Sequence, residues 1–385
     1  MARPTRSKPR SIFEEVGEAR PTPAPATSPG QRREGARGAV RLWLLALFGL
    51  VALIVVVGGL TRLTGSGLSI TEWRPLTGAI PPLSDADWRA EFELYRAIPQ
   101  YDIVNRGMTL AEFKVIYWWE WGHRQLGRVV GLVWAVGFLW FWLTKRIPSG
   151  WTGRLLLLGA LGGVQGAIGW WMVHSGLGEG MIAVAATRLA VHLGLAFVIL
   201  GLLAWSILQL GRTPAELVQA RRLGDAGVFG LGTALVALAF VQIVLGALVA
   251  GTGAGRAYAD WPLMHGVFFP PEALDLAPLW RNFVENTAMV QFSHRMAGYA
   301  LLALGALTWV LAGASRHRAT RGAHDLMMAL MTLQVGLGIA TVMTGAPLEL
   351  AAAHQFMGVV LWAAILRARF LARYPRVAST IRGRS

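Results

Sequence analysis

The amino-acid sequence predicts an all-α integral membrane protein whose eight transmembrane helices form two pseudo-symmetric four-helix bundles. Three observations support this fold class. The 385 residues are 54% hydrophobic and only 15% charged, which is more apolar surface than a soluble chain can bury. Apolar runs close to the ~20 residues that cross a bilayer occur eight times along the chain. The last four runs repeat the sequence landmarks of the first four.

Five of the seven connections between the predicted spans indicate the orientation: three are short and basic, and two are long. The connections at 145–152, 210–223 and 313–322 carry arginine and lysine, so the positive-inside rule places them in the cytoplasm. The segments 61–123 and 251–286 are then external, and both chain ends are cytoplasmic. The eight spans cover residues 41–60, 124–144, 153–173, 188–209, 226–250, 287–312, 323–343 and 351–371.

These spans divide the chain into five segments. Residues 1–40 are rich in arginine, proline and serine and lack an apolar core, which predicts a disordered cytoplasmic tail. The other predicted segments are an N-terminal four-helix half at 41–210, a cytoplasmic linker at 211–223, a C-terminal four-helix half at 224–372 and a cytoplasmic tail at 373–385.

The composition also excludes several classes of function. The net charge of +15 resides mainly in the N-terminal tail and the short connections, so nucleic acid is not an expected partner. The chain has no cysteine, which excludes disulfides, thiolate haem ligation and cysteine-based zinc sites. Any bound metal must therefore be held by histidine, methionine or carboxylate side chains.

Four pairs of landmarks recur in the same order in the two halves. The run GGLTRLTGSGLSITEW after span one ends at Trp73, and GALVAGTGAGRAYADW after span five ends at Trp261. Both halves run in the same direction, which predicts two related four-helix bundles. The other pairs are His123 with His294 in spans two and six, Gln165 with Gln334 in spans three and seven, and His192 with His354 in spans four and eight.

The paired histidines predict a haem site. Spans two, four, six and eight enter from the outside, and each carries its histidine near the entering end. A lone histidine is more often a core residue than a ligand, but ionisable groups inside a membrane are costly and usually functional. Two imidazoles facing each other across a bundle can ligate one haem iron, whereas zinc needs a third ligand. A bis-histidine haem in at least one half is therefore predicted.

Four arginines are candidate partners of haem propionates. Arg124 and Arg295 directly follow candidate ligands, Arg128 lies one turn further on, and Arg188 lies one turn before His192. These charges lie on the external side, against the positive-inside bias, so a local partner is expected. Haem propionates could be this partner and would accept charge-assisted hydrogen bonds. The alternative is that the arginine side chains extend to the polar surface of the membrane.

The halves differ beside the first histidine of each pair. Glu120 lies three residues before His123 on the same helix face, and Gln291 takes that place before His294. A carboxylate can accept a proton or stabilise a cation, and an amide cannot. This predicts a reactive haem site in the first half and an electron-transfer haem in the second. The structural alternative is an ion pair of Glu120 with Arg124.

The remaining histidines are not predicted to be ligands. His174 and His265 fall in predicted external loops, where a surface or hydrogen-bonding role is expected. His317 and His324 lie beside a predicted cytoplasmic connection.

Three stretches of the chain resemble the haem A synthase family. They are RLTGSGLSITEWRPLTGAIPPLS at 62–84, EFKVIYWWEWGHRQLGRVVG at 112–131 and QFSHRMAGY at 291–299. The resemblance extends over the chain from about residue 40. The cysteine-free pattern and the long first external segment are similar to the type 2 form of alphaproteobacteria and mitochondria. Type 1 members carry an external cysteine pair, and this chain cannot supply that dithiol.

The resemblance implies a bacterial inner-membrane enzyme that oxidises the C8 methyl group of haem O to a formyl group, giving haem A for terminal oxidases. It implies that Glu120, His123 and His192 serve the substrate haem. It also implies that His294 and His354 ligate a haem b cofactor. Candidate partners are haem O, membrane lipid, the farnesyltransferase that makes haem O, and a second copy of this chain.

Two other functions compete with this interpretation. A di-haem b-type membrane cytochrome would transfer electrons without substrate chemistry, and it would have no need for the difference between Glu120 and Gln291. A haem transporter would usually have inverted repeats and a site at the middle of the membrane. The repeats here are parallel and the histidines lie near one surface.

Overall fold

The computed structural model describes residues 35–376, so most of the predicted tails 1–40 and 373–385, namely residues 1–34 and 377–385, lies outside the described residues. Eight of its helices are long and apolar enough to cross a membrane, and no strand is assigned between residues 35 and 376. The prediction of an all-α integral membrane protein is thus confirmed. The helices are α1 Arg37–Leu63, α2 Leu110–Leu143, α3 Thr152–His174, α4 Ala186–Leu210, α5 Ala226–Thr252, α6 Thr287–Gly313, α7 Arg318–Met343 and α8 Leu348–Arg373.

Side chains next to several helices fix where these helices begin and end. Thr109 and Glu112 form a capping box at the start of α2, which satisfies backbone N–H groups that have no partner within the helix. Asp225 and Asn286 accept hydrogen bonds from the first turns of α5 and α6. Helix α5 ends at Thr252, and Gly253 directly after it has a φ of 73°, a left-handed conformation that glycine adopts without steric cost.

Helix α2 begins at Leu110, although the sequence predicts an external loop as far as residue 123. Its 34 residues span about 51 Å at ~1.5 Å per residue, so the helix extends well beyond a hydrocarbon layer of roughly 30 Å. Phe113 and Tyr117 on this extension are buried in one cluster with Tyr95 of the external segment. The loop prediction was wrong because this packing, which hydropathy does not report, stabilises the helix outside the membrane.

Three other predicted boundaries also differ from the structure. Residues 37–40 form the first turn of α1 instead of a tail, and Arg373 ends α8 instead of starting a tail. The predicted linker 211–223 contains a helix at Pro214–Arg222. Further short helices lie at Asp85–Arg96, Pro99–Val104 and Ala254–Ala257, with 3-10 turns at Thr77–Ala79, Pro271–Leu274 and Leu279–Phe283.

The eight helices form two rings of four. In the N-terminal half, α1 and α3 each pack on both α2 and α4, and in the C-terminal half α5 and α7 each pack on both α6 and α8. Helices α2 and α4 are therefore diagonally opposite, as are α6 and α8. The halves meet where α4 packs on α5 and α8, and where α8 packs on α1. The connections 144–151, 211–225 and 314–317 define the short-loop end of the bundle, and the opposite end is the long-loop end.

Two polar contacts tie α1 to the C-terminal half. Gln355 donates from Nε2 to the carbonyl of Val55 at 2.7 Å, and its amide lies where a Cβ atom on Gly59 would be. Arg62 donates to the carbonyl of Ala250 at 3.0 Å, and the carbonyl end of a helix favours such a cation. These contacts hold the two halves together near the long-loop end.

Candidate functional site

The four candidate histidines lie at one level of the bundle. At ~1.5 Å per residue, each is about 27–30 Å along its helix from the short-loop end, roughly the thickness of the hydrocarbon layer. All four are therefore near the long-loop end, as the sequence predicts. His123 lies 20 residues before Leu143, His192 lies 18 before Leu210, His294 lies 19 before Gly313, and His354 lies 19 before Arg373.

The histidines form one pair in each half. His123 on α2 and His192 on α4 lie within electrostatic range of each other, and so do His294 on α6 and His354 on α8. The four side chains are half-buried rather than fully packed. In the described part of the chain, Nδ1 of His294 and Nδ1 of His354 are buried without a hydrogen-bond partner. Such groups are uncommon in proteins.

A glycine of a neighbouring helix lies against each imidazole. A Cβ atom on any of these glycines would come within 2.9–3.2 Å of a ring atom, which is closer than nearly all real Cβ contacts. The rings can therefore approach the neighbouring backbone only because glycine is present. The pairs are Gly58 with His123, Gly169 with His192, Gly246 with His294 and Gly338 with His354.

The two glutamine landmarks of the repeat contact the second histidine of each pair. Gln165 donates from Nε2 to the backbone carbonyl of His192 at 3.0 Å, and Gln334 donates to that of His354 at 3.1 Å. The same amide nitrogens lie 3.2 Å and 3.3 Å from a ring nitrogen. Each glutamine thus contacts both the backbone and the imidazole of the histidine that it faces.

Gln242 is a site residue that the sequence interpretation did not single out. Its Nε2 lies 3.3 Å from Nε2 of His294. The spacing could have revealed it, because Gln242 precedes Gly246 by four residues, as Gln165 precedes Gly169. Positions four apart share a helix face, so the amide of Gln242 lies beside the space that Gly246 leaves for the ring of His294.

Glu120 is buried and its carboxylate is fully engaged. Oε2 accepts from Ser69 Oγ at 2.8 Å and from the Ile70 N–H at 2.9 Å. Oε1 accepts from Arg124 Nη2 at 2.6 Å, which is the ion pair that the sequence offers as the structural alternative. The carboxylate is thus held between α2 and the external segment. Its catalytic role stays a prediction.

Arg124 and Arg295 attach the external segments to the helices that carry His123 and His294. Arg124 donates to the carbonyls of residues 70 and 72, at 2.7 Å and 3.0 Å. Arg295 donates to those of residues 258 and 260, at 3.3 Å and 2.8 Å. These pairs of carbonyls occupy equivalent positions after α1 and α5, so the contact repeats in both halves.

The other two candidate propionate partners, Arg128 and Arg188, also donate to backbone carbonyls. Arg128 donates to Arg74 at 3.0 Å and to Pro75 at 3.0 Å. Arg188 donates to Trp171 at 2.7 Å, with its guanidinium 4.5 Å from the centre of the Trp171 ring. Propionate binding by the four arginines stays a prediction, and in this structure each of them binds protein carbonyls.

The two remaining external histidines are exposed. His174 is the last residue of α3 instead of a loop residue, and His265 lies in the second external segment with its ring 4.5 Å from the ring of Tyr258. Burial raises the pKa of Tyr258 to about 12, and its hydrogen bond to Glu272 adds to this effect. The phenol therefore remains a donor to Glu272 over the physiological pH range.

The donor set suits haem better than a bare metal ion. Between residues 35 and 376, no three histidine, aspartate or glutamate side chains gather as metal ligands. Each half instead presents two imidazoles from diagonally opposite helices, and a haem iron needs only two protein ligands because the porphyrin supplies the others. Nδ1 of His294 and Nδ1 of His354 are buried without a hydrogen-bond partner, as expected for imidazoles that bind a group other than the protein.

Comparison with known proteins identifies close relatives. The COX15-CtaA family, described as cytochrome oxidase assembly protein, matches residues 41–366. A Ruegeria pomeroyi protein named heme A synthase is 60% identical over 382 residues, covering 98% of this chain and 100% of the relative. Proteins of the same name from Ruegeria sp. strain TM1040 and Cereibacter sphaeroides are 58% and 57% identical, covering 97% and 98% of this chain and 99% of each relative.

Proposed function

The chain belongs to the COX15-CtaA family of cytochrome oxidase assembly proteins, and from this premise we propose that it is a haem A synthase. It is an integral membrane oxidoreductase that converts the C8 methyl group of haem O into the formyl group of haem A. The observation that carries this proposal is the 57–60% identity to proteins named heme A synthase over nearly the whole of both chains.

We assign the two histidine pairs to different haems. His123 and His192 bind the iron of the substrate haem in the N-terminal half, and His294 and His354 hold a haem b cofactor in the C-terminal half. The difference between Glu120 and Gln291 supports this assignment, because only the first half has a carboxylate beside its histidines. When bound, haem b would supply a redox centre that can take electrons from the neighbouring half.

The residues around the substrate site position it and shield it. Arg124 fixes the carboxylate of Glu120 and the carbonyls of residues 70 and 72 together, which attaches the external segment beside His123. The cluster formed by Tyr95, Phe113 and Tyr117 stabilises that segment outside the membrane. We propose that Glu120 accepts a proton or stabilises positive charge during oxidation of the methyl group.

The pigment content of the purified protein tests the proposed function. Protein from cells that make haem O is expected to contain one equivalent of haem b, with smaller amounts of haem O, an alcohol intermediate and haem A. Chromatography of the extracted haems measures each of them. Two equivalents of haem b without haem O or its products would instead indicate a di-haem cytochrome and would overturn the proposal.

We also propose that the protein lies in the bacterial inner membrane with its short-loop end and both termini in the cytoplasm. The basic residues of the short connections support this orientation. The farnesyltransferase that makes haem O and a second copy of the chain are proposed partners, because haem O and haem A are too apolar to diffuse freely in water.

Reporter fusions test this orientation. Alkaline phosphatase, which is active only outside the cytoplasm, is expected to be active when fused within 64–109 or 253–286. It is expected to be inactive within 144–151, 211–225 or 314–317. Activity in any of these last three connections would contradict the proposed orientation and would place the histidines near the cytoplasmic surface.

A further inference from the structure

Helices α2 and α3 of the N-terminal half touch at two levels. Nearer the short-loop end, the Trp134 ring lies where a Cβ atom on Gly159 would be, and its Nε1 donates to the carbonyl of Leu155 at 3.0 Å. Near the long-loop end, the guanidinium of Arg124 lies 5.8 Å from the centre of the Trp170 ring. From Gly159 to Trp170 the distance along α3 is about 16 Å at ~1.5 Å per residue.

The interval between these two contacts is lined by glycine. Three glycines follow Gly159 by three, four and seven residues, so they share the face of α3 that is turned towards α2. Gly131 lies three residues before Trp134, on the facing side of α2. A Cβ atom on any of these four glycines would have no neighbouring side chain within 4 Å, and all four residues are exposed. The interval is therefore an open groove between the two helices. The three glycines of α3 are Gly162, Gly163 and Gly166.

The equivalent place in the C-terminal half is filled. When the halves are matched at their landmark histidines and glutamines, each of the four glycines corresponds to a larger side chain. Met331 of α7 is buried, and its Sδ atom lies where a Cβ atom on Gly305 of α6 would be. Side chains thus occupy, between α6 and α7, the space that stays open between α2 and α3. The matched residues are Leu302 for Gly131, Met331 for Gly162, Thr332 for Gly163 and Val335 for Gly166.

The outer end of the groove adjoins the proposed substrate site. Gly169 lies three residues after Gly166 and against the imidazole of His192. On α2, His123 lies eight residues before Gly131, about 12 Å nearer the long-loop end at ~1.5 Å per residue. A molecule bound between the two imidazoles can therefore extend a substituent along the groove, towards the middle of the membrane.

The two haems of the proposed function differ in one substituent. Haem O carries a long apolar farnesyl chain where haem b has a vinyl group. A site for haem O must therefore accommodate a chain that a site for haem b does not need to accommodate. Burial of such a chain is favourable, and a groove lined by glycine offers space for it without polar side chains.

We propose that the groove between α2 and α3 holds the farnesyl chain of haem O and haem A. The larger side chains at the equivalent place exclude this chain from the C-terminal half. The four glycines are then specificity-determining residues of the substrate site, and Met331 restricts the cofactor site to haem b. This inference rests on the proposed function, and it explains how two similar histidine pairs take different haems.

The substitutions Gly162→Met and Gly166→Val copy the C-terminal half and test this proposal. Each variant is purified from cells that make haem O, and its haems are separated by chromatography. The content of haem O and haem A relative to haem b is expected to fall at least about tenfold, because a chain kept out of the groove loses its apolar burial. The haem b of the C-terminal half shows that the variant protein is folded.

A titration distinguishes exclusion of the chain from obstruction of the whole site. Gly162→Met protein whose C-terminal site is filled is titrated with haem O or with haem b, and the absorbance of the bound haem gives each affinity. Haem b, which lacks the chain, should bind the N-terminal site as it does in wild-type protein. Haem O should bind at least about tenfold more weakly than to wild-type protein. Equal weakening of both would overturn the inference.

The matched control is Val164→Met, which adds a methionine at the same depth of α3. Val164 follows Gly159 by five residues, which places it on the far side of the helix from α2, and it is exposed. This variant should have the haem content of wild-type protein. Wild-type contents of haem O and haem A in both Gly162→Met and Gly166→Val would overturn the inference, and if Gly162→Met does not fold, Gly166→Val decides alone. Failure of the proposed function is distinguishable, because wild-type protein would then contain neither haem O nor haem A.

Discussion

Replacing His294 or His354 by alanine is expected to abolish the low-spin haem b spectrum of the purified protein. The two residues are the imidazoles that the C-terminal half presents from α6 and α8, and neither helix offers a second histidine at that level. Removing one leaves an iron with at most one protein ligand, and a low-spin spectrum requires two strong axial ligands. The visible spectrum of the reduced protein measures this loss.

The matched control for this experiment is His123→Ala, which removes the equivalent residue from the N-terminal half. That variant is expected to retain haem b, because its site lies in the other ring of helices, while it loses bound haem O and haem A. A wild-type haem b spectrum in both the His294 and the His354 variants would refute the assignment of the cofactor to the C-terminal half.

Glu120→Gln is expected to retain haem b, to accumulate haem O or its alcohol, and to lower haem A at least about tenfold, which corresponds to ~1.4 kcal/mol of lost barrier lowering. An amide of the same shape cannot accept a proton as the carboxylate does. It also copies the arrangement that Gln291 already provides in the other half. The measurement is chromatography of haems extracted from cells that carry the variant as their sole copy.

The structure offers a control variant that separates a catalytic role of Glu120 from a structural one. Ser69→Ala removes one hydrogen bond from the carboxylate of Glu120 but leaves the charge and the pair with Arg124. This variant is expected to make near-normal amounts of haem A. A near-normal haem A content in Glu120→Gln would make Glu120 a structural partner of Arg124. An equal loss in Ser69→Ala would lead to the same conclusion.

Local sequence was sufficient to predict the parts of the site that lie on regular spans. A run of about 20 apolar residues predicts a membrane helix by itself, because each span must be long and apolar enough to cross the bilayer. The parallel repeat then places His123 and His294 on the equivalent helices α2 and α6, and His192 and His354 on the equivalent helices α4 and α8. Their common level follows from helix rise alone.

Hydropathy was insufficient wherever the partner of a side chain lies outside the membrane or far away in the chain. The extension of α2 depends on the packing of Phe113 and Tyr117 with Tyr95, which comes from another segment. The same limit applies to Arg124, because its hydrogen bonds to the carbonyls of residues 70 and 72 reach another segment of the chain.

The sequence by itself therefore determined the membrane class, the eight spans, the two halves and the candidate histidines, because each of these depends on residue type and spacing along one helix. Only the tertiary structure decided what surrounds the histidines. The contact of Gln242 with His294 and the contact of Glu120 with Ser69 and Ile70 join different segments of the chain. Such contacts depend on how the helices pack against each other, which no single span encodes.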